Sequence, residues 1–164
     1  MSSDIRRRVL NRLRDTSANT LVEAAVITPL VILLTFGIAD FSSLLYVYLS
    51  LENGVSQATR YAVTGNDLPD PLNPGQQLSH TASIMATMRA ATPTLTITDA
   101  DFNFSHMPAG GSAWIGGDGG PGDLEKVTVN YSWQLLTPVI RPFFPGGQIQ
   151  LSVSSTMKNE PKFQ

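Results

Sequence analysis

The hydrophobic pattern changes its period once, near residue 40. Ala24 to Ala39 is a run of sixteen uncharged residues, and after Asp40 the stretch Phe41 to Leu51 is uncharged again. An α-helix needs about 20 mostly apolar residues to cross a bilayer. Leu21 to Ala39 comes close to that alone. Further on, apolar residues recur every third or fourth position: Phe41, Leu44, Tyr48, Leu51, Val55, Ala58 and Ala62 make a heptad-like stripe, with Ser42, Ser43, Asn53, Gln57 and Arg60 off it. Together the two patterns predict one helix from about Thr20 to Val63, closed by Gly65 as a C-cap. Such a helix is on the order of 65 Å long, about twice the hydrocarbon thickness. Pro29 and Gly37 fall inside it. Pro29 removes one backbone donor and is expected to kink or loosen the helix locally, which membranes tolerate where neighbouring helices cover the backbone.

Past the helix the pattern shortens. Gly65 to Gln77 holds three prolines and reads as a linker. Gln76 to Ala91 predicts a short helix with Leu78, Ala82, Met85 and Met88 or Arg89 on one side, stopped by Pro93. Leu95, Ile97, Phe102 and Phe104 suggest a first strand. Ser105 to Asp123 is glycine-rich and reads as an exposed loop. In Leu124 to Leu135, Val127, Val129, Tyr131 and Trp133 alternate with Thr128, Asn130 and Ser132; in the last strand Ile149, Leu151 and Val153 alternate with polar residues. Thr137 to Gly147 between them is a long turn, so the two strands pair antiparallel. The expected fold is α+β and pilin-like: a long N-terminal transmembrane and amphipathic helix with a small antiparallel β-sheet on its outer half. The divisions are a basic leader at 1–18, the long helix at 19–65 and an exported small α+β domain at 66–164.

Charge sharpens the membrane reading. Only 15 % of residues are charged, against about 25 % in an ordinary soluble domain. Five of the eleven basic residues, Arg6, Arg7, Arg8, Arg12 and Arg14, precede the apolar run. Positive flanks stay on the cytoplasmic side, which predicts the N-terminus inside and the C-terminal part outside. The rest of the chain is mildly acidic from Glu52 onward, which argues against a nucleic-acid partner. The absence of cysteine excludes disulfides and thiolate metal sites.

Two carboxylates, Glu23 and Asp40, bracket the run. Three readings share these facts: a signal anchor with both acids near the interfaces; a secretory signal cleaved after the Gly37-Ile38-Ala39 sequence; or a prepilin-like signal cut before the apolar core. Glu23 at the start of the core, and a helix continuing to Ala62, count against the second. A bare carboxylate in lipid costs several kcal/mol or takes up a proton, so Glu23 needs a partner. Asp40 is expected to be solvated at the outer interface, with an assembly contact as the alternative.

The segments Val22-Glu23-Ala24-Ala25, Pro29, Gly37-Ile38, Asp40-Phe41 and Arg60-Tyr61-Ala62 at these spacings resemble TadE-like proteins, minor pseudopilins of the tight-adherence branch of type IV pilus systems. Leu151 to Pro161 resembles a common ending of that family, and residues 66–123 carry no such signal. The resemblance implies cleavage between Ala18 and Asn19 by a prepilin peptidase, which makes Glu23 the fifth residue of the mature chain. Most prepilins carry glycine where this chain has Ala18. It also implies insertion in the bacterial inner membrane and partners among other pilins and the inner-membrane assembly platform, besides the lipid bilayer. Glu23 is then the assembly carboxylate, able to pair with the α-amino group that cleavage creates at Asn19, and Pro29, Asp40 and Phe41 are further assembly candidates on the helix.

Catalytic chemistry finds little purchase. No phosphate-binding glycine loop and no His-Glu-x-x-His set is present. His80 and His106 read as surface or loop residues, and Asp118, Asp123 and Glu125, like Asp99 and Asp101, as solvated loop acids rather than calcium ligands. Trp114 stands either as an exposed contact or under its loop. No enzyme activity, cofactor or metal is expected.

Overall fold

The computed structural model describes residues 16–161. The apolar run and the heptad-like stripe join into a single helix, α1 (Thr16–Ala62), which is continuous through Pro29. It begins one turn before the expected start, so the Ala18–Asn19 bond lies within the helix. The basic leader up to residue 15 lies outside the described residues. The chain leaves the helix through a turn that ends at Gly65, whose φ of 66° is the left-handed conformation a glycine adopts without strain.

Only the outer part of α1 is packed. Asp40, Val47, Leu51, Gly54, Val55, Ala58, Thr59 and Ala62 are buried. Phe41 and Tyr48, expected on the packed stripe, are instead 66 % and 38 % exposed. The buried line runs through Asp40, Leu44, Val47 and Leu51, and the line through Phe41, Leu45 and Tyr48 lies beside it. Both lines have three-four spacing, so periodicity alone does not separate them.

A shorter helix, α2 (His80–Ala91), packs across α1. Its N-cap Ser79 accepts a hydrogen bond from the Ala82 amide. The helix starts four residues later than expected and buries Ser83, Ile84 and Met88, not Leu78 and Met85. Gly54 of α1 makes the approach possible. A Cβ there would stand 2.6 Å from Thr92 Cγ2 and 3.4 Å from Met88 Cε.

The sheet has four antiparallel strands in the order β2-β1-β3-β4: β1 (Phe102–Met107), β2 (Ile115–Gly116), β3 (Leu124–Gln134) and β4 (Gln148–Lys158). The first strand is shorter than expected. Leu95 and Ile97 precede it, and a 3-10 turn at Asp99–Asp101 intervenes, capped by the Thr98 and Asp101 side chains. The glycine-rich segment is not wholly loop, because β1 runs on to Met107 and Ile115–Gly116 folds back to pair with Ser105 and His106. β3 and β4 pair over their full lengths, Leu124 opposite Lys158 and Gln134 opposite Gln148. Their inner faces bring Val127, Val129, Trp133 and Val153 onto α1, closing one core with Leu51 and Val55 of α1 and Ile84 and Met88 of α2. At roughly 1.5–3 kcal/mol for each large side chain buried, this cluster holds the sheet to the helix. The described architecture is α+β: a long N-terminal apolar helix and a small antiparallel sheet.

The hairpin fixes which end of the sheet faces which end of the helix. At the β3–β4 turn, Leu136 and Thr137 meet Asp40 in the middle of α1. At the opposite end of the hairpin, the Glu160 amide bonds the Val63 carbonyl just past the helix end.

Candidate functional site

From Asn19 to Phe36 the helix has nothing packed over it. Leu21, Val22, Val26, Leu30, Leu34 and Ile38 are each at least 60 % exposed. Every residue from Asn19 to Phe36 is exposed, whichever face of the helix it occupies, the mark of a helix whose apolar surface is covered by something other than its own domain. Its polar side chains are partly satisfied from within: Thr35 Oγ1 donates to the Val31 carbonyl and Ser42 Oγ to the Ile38 carbonyl, both at 2.8 Å. Hydroxyls bonded in this way impose little penalty in lipid. The helix is long and apolar enough to fit a single-pass membrane anchor.

Glu23 lies on the exposed surface of this segment, one helical turn from Asn19. Residues four apart on a helix are neighbours, about 5–6 Å between Cβ atoms. A group at the backbone nitrogen of residue 19 and the carboxylate of residue 23 therefore lie on one side of the helix. Phe41 is exposed at the other end of the segment, and Pro29 lies between.

Asp40 departs from expectation. It is 4 % exposed, not solvated. Its Oδ1 accepts the backbone N–H of Leu136 at 2.9 Å and of Thr137 at 3.2 Å, and its Oδ2 accepts the Thr137 hydroxyl. Three donors on one carboxylate replace the hydration it loses. Thr137, 9 % exposed, was not singled out by the sequence, because its pairing with Asp40 is a contact across 97 positions. The turn beyond it is closed at its base by Leu135 N–H to Gly147 O and by Arg141 Nε–H to Leu135 O. An apolar groove of about 250 Å³ opens beside this clasp, lined by Gly37, Phe41, Leu44, Trp133, Ile140 and Phe144 among others.

The loop acids accept hydrogen bonds from the chain's own donors. Asp123 accepts the amides of Ala109 and Gly120, and Asp118 accepts the Thr81 hydroxyl. Glu125 is 1 % exposed, on the inward face of β3, and accepts the Gly119 amide at 2.6 Å. Its position two residues before Val127 is the sequence signal that places it inside. Among the described residues no three His, Cys, Asp or Glu side chains gather as a metal-binding set. His80 is half-buried and caps the end of α1, with Nε2 at 3.1 Å from the Ala62 carbonyl, while Nδ1 faces Asp67 at 3.3 Å. His106 pairs through Nδ1 with the Gly117 carbonyl at 3.1 Å. Trp114 is 42 % exposed, with the Lys126 ammonium 4.3 Å from its ring centre.

No curated protein and no solved structure matches the chain. A family model does match, over residues 19–60, and its description is TadE-like protein. This is a pilus-related family and not an enzyme family. The matched residues are those that carry the exposed apolar helix, Glu23 and the Asp40 clasp, and the match supports a TadE-like protein.

Proposed function

We propose that this chain is a minor pseudopilin of a tight-adherence (Tad/Flp) pilus, inserted in the bacterial inner membrane and acting in assembly through its N-terminal helix. The observation that carries this reading is the bare helix that the family match contains. The TadE-like match covers residues 19–60, and within it the helix from Asn19 to Phe36 stands clear of its own domain with Glu23 on its surface. In this reading a prepilin peptidase cuts between Ala18 and Asn19. The new α-amino group, on the chain's own helix or on a neighbour's, then pairs with Glu23. In low dielectric the attraction is large when both groups are desolvated together, and pairing with a neighbour sets the axial register between subunits. The arginine-rich leader keeps the N-terminus cytoplasmic and the α+β domain outside. Its partners are other pilins and pseudopilins, the peptidase and the inner-membrane assembly platform.

The mass of the mature N-terminus in the native host tests the reading. A chain beginning at Asn19 supports it. A chain beginning at Asp40 makes the protein a secreted domain, and an intact leader makes it a plain membrane anchor; either overturns the pseudopilin assignment.

A further inference from the structure

We propose that the turn between β3 and β4, residues 136–147, is a membrane foot: it seats in the outer leaflet at the level of the lipid glycerol and headgroups and holds the sheet domain against the bilayer surface. The inference rests on the reading of α1 as a membrane span and adds a second lipid contact to it.

Four observations converge. First, the level is set by Asp40. Leu21 and Asp40 are nineteen residues apart, roughly 29 Å at about 1.5 Å per residue, and the hydrocarbon core is ~30 Å thick. With Leu21 at the inner edge of the core, Asp40 stands at the outer edge, and its bonds to Leu136 and Thr137 bring the turn to that depth. Ile140 and Phe144 line a groove with Gly37, so the turn reaches a helical turn deeper than Asp40. Second, the turn exposes apolar side chains there: Leu136 60 %, Val139 43 %, Phe143 77 % and Phe144 37 %. Third, the turn is joined to α1 by the apolar groove, whose lining includes Gly37, Phe41 and Leu44 of the helix with Ile140 and Phe144 of the turn. Fourth, the one charged residue from 136 to 147 is Arg141, which is exposed, and the turn contains no acid. Phenylalanine and leucine side chains on an apolar face sink to the boundary between headgroups and acyl chains, and an arginine beside them lies against phosphate. Asp40 serves this arrangement by occupying the Leu136 and Thr137 amides, which would otherwise enter an apolar zone unpaired.

The chain has no cysteine, so single cysteines carrying an environment-sensitive fluorophore report depth without background. The full chain is reconstituted in phosphatidylethanolamine–phosphatidylglycerol vesicles with the probe at Phe143→Cys or Val139→Cys. Leu34→Cys marks the interior of the span and Leu72→Cys the surface outside it, at 65 % and 86 % exposure. A foot in the leaflet gives blue-shifted emission at 143 and 139, several-fold less quenching by aqueous iodide than at 72, and quenching by lipids with a nitroxide near the glycerol, at every protein-to-lipid ratio. Iodide access at 143 and 139 equal to that at 72, with 34 protected, overturns the foot and leaves the span standing. Protection that fades on dilution in lipid, without nitroxide quenching, assigns the surface to a second copy and also overturns it. Iodide access at 34 removes the span itself and the foot with it.

Discussion

Asp40 and Thr137 join the middle of the long helix to the turn of the hairpin, 97 positions later in the chain, through a buried carboxylate that accepts both the amide and the hydroxyl of the threonine. The pair decides where the sheet domain sits along α1. Asp40→Asn keeps the shape and removes the charge, and a hydrogen bond to a charged group contributes about 1.5–3 kcal/mol. The expected loss of stability lies in that range, with Asp40→Ala costing more because two amides are then left unpaired. Thr137→Val removes only the hydroxyl bond. Urea unfolding of the full chain in detergent micelles, run as a double-mutant cycle, should show the two substitutions strongly non-additive. Additive losses would mean that the two side chains do not act together.

Gly54 should resist substitution even though helices ordinarily gain from its replacement. Alanine in place of an interior helical glycine is favourable by roughly 0.5–1 kcal/mol. Here the new Cβ would fall 2.6 Å from Thr92 Cγ2. Thr92 cannot swing away freely, since its hydroxyl is buried and bonds the Met88 carbonyl at 2.9 Å. Overpacking of this kind typically costs about 1–3 kcal/mol, so Gly54→Ala is expected to be a net destabilisation. Thr92→Ser deletes the offending methyl and keeps the hydroxyl, and the double variant Gly54→Ala/Thr92→Ser should recover most of the loss. Thermal unfolding of the four proteins checks it.

Glu125 makes stability fall as pH rises. Burial pushes its carboxyl above the ordinary glutamate value of 4.5, the Gly119 amide works against that, Asp118 adds to it, and Asn159 and His106 oppose it. Glu125 Oε1 and Asn159 Oδ1 are both buried and lack hydrogen-bond partners among the described residues. Protonation removes the charge that burial penalises. The folded-state value is raised, so this contribution is fully present below the unfolded value of 4.5 and is lost as pH rises through the folded one. The urea midpoint should therefore decline from acid toward neutral pH. Glu125→Gln, which keeps an acceptor for Gly119 and carries its own donor, should flatten that decline. A midpoint with the same pH slope in both proteins would rule the carboxyl out as its source.

The elements with strong local period can be read directly from the chain. Val127, Val129 and Trp133 alternate because one face of β3 is core, and the sixteen-residue apolar run declares α1 before any contact is known. What escapes is whatever depends on a partner distant in sequence. The buried stripe through Val47 and the exposed one through Tyr48 have the same spacing, and only the position of the sheet chooses between them. Asp40 reads as an interfacial acid until Leu136 and Thr137 are brought to it. Two-residue strand β2 exists only because β1 offers an edge, so no local pattern announces it inside a glycine-rich segment. Glu125 could have been placed by extending the alternation of β3 two residues back. Its chemistry, set by Gly119 and Asn159, could not.

Glu23 is the residue on which the assembly proposal depends most directly. It sits on a helix surface that the protein's own domain leaves bare, four residues from the proposed new N-terminus at Asn19. In the proposed reading, an ammonium at residue 19 and a carboxylate at residue 23 hold each other charged inside lipid, or bind across two subunits. Glu23→Gln keeps the size and removes the charge. Insertion should survive, since the apolar run from Ala24 to Ala39 is untouched. Association should not: the yield of cross-links to other pilin subunits is expected to fall several-fold, and the variant should leave the membrane more readily in mild detergent than the unaltered protein. Asp40→Asn is the matched control, because it removes a carboxylate committed inside the chain and should leave the cross-link yield unchanged. Equal association and extraction for Glu23→Gln and the unaltered chain would show that the carboxylate has no part in holding subunits together.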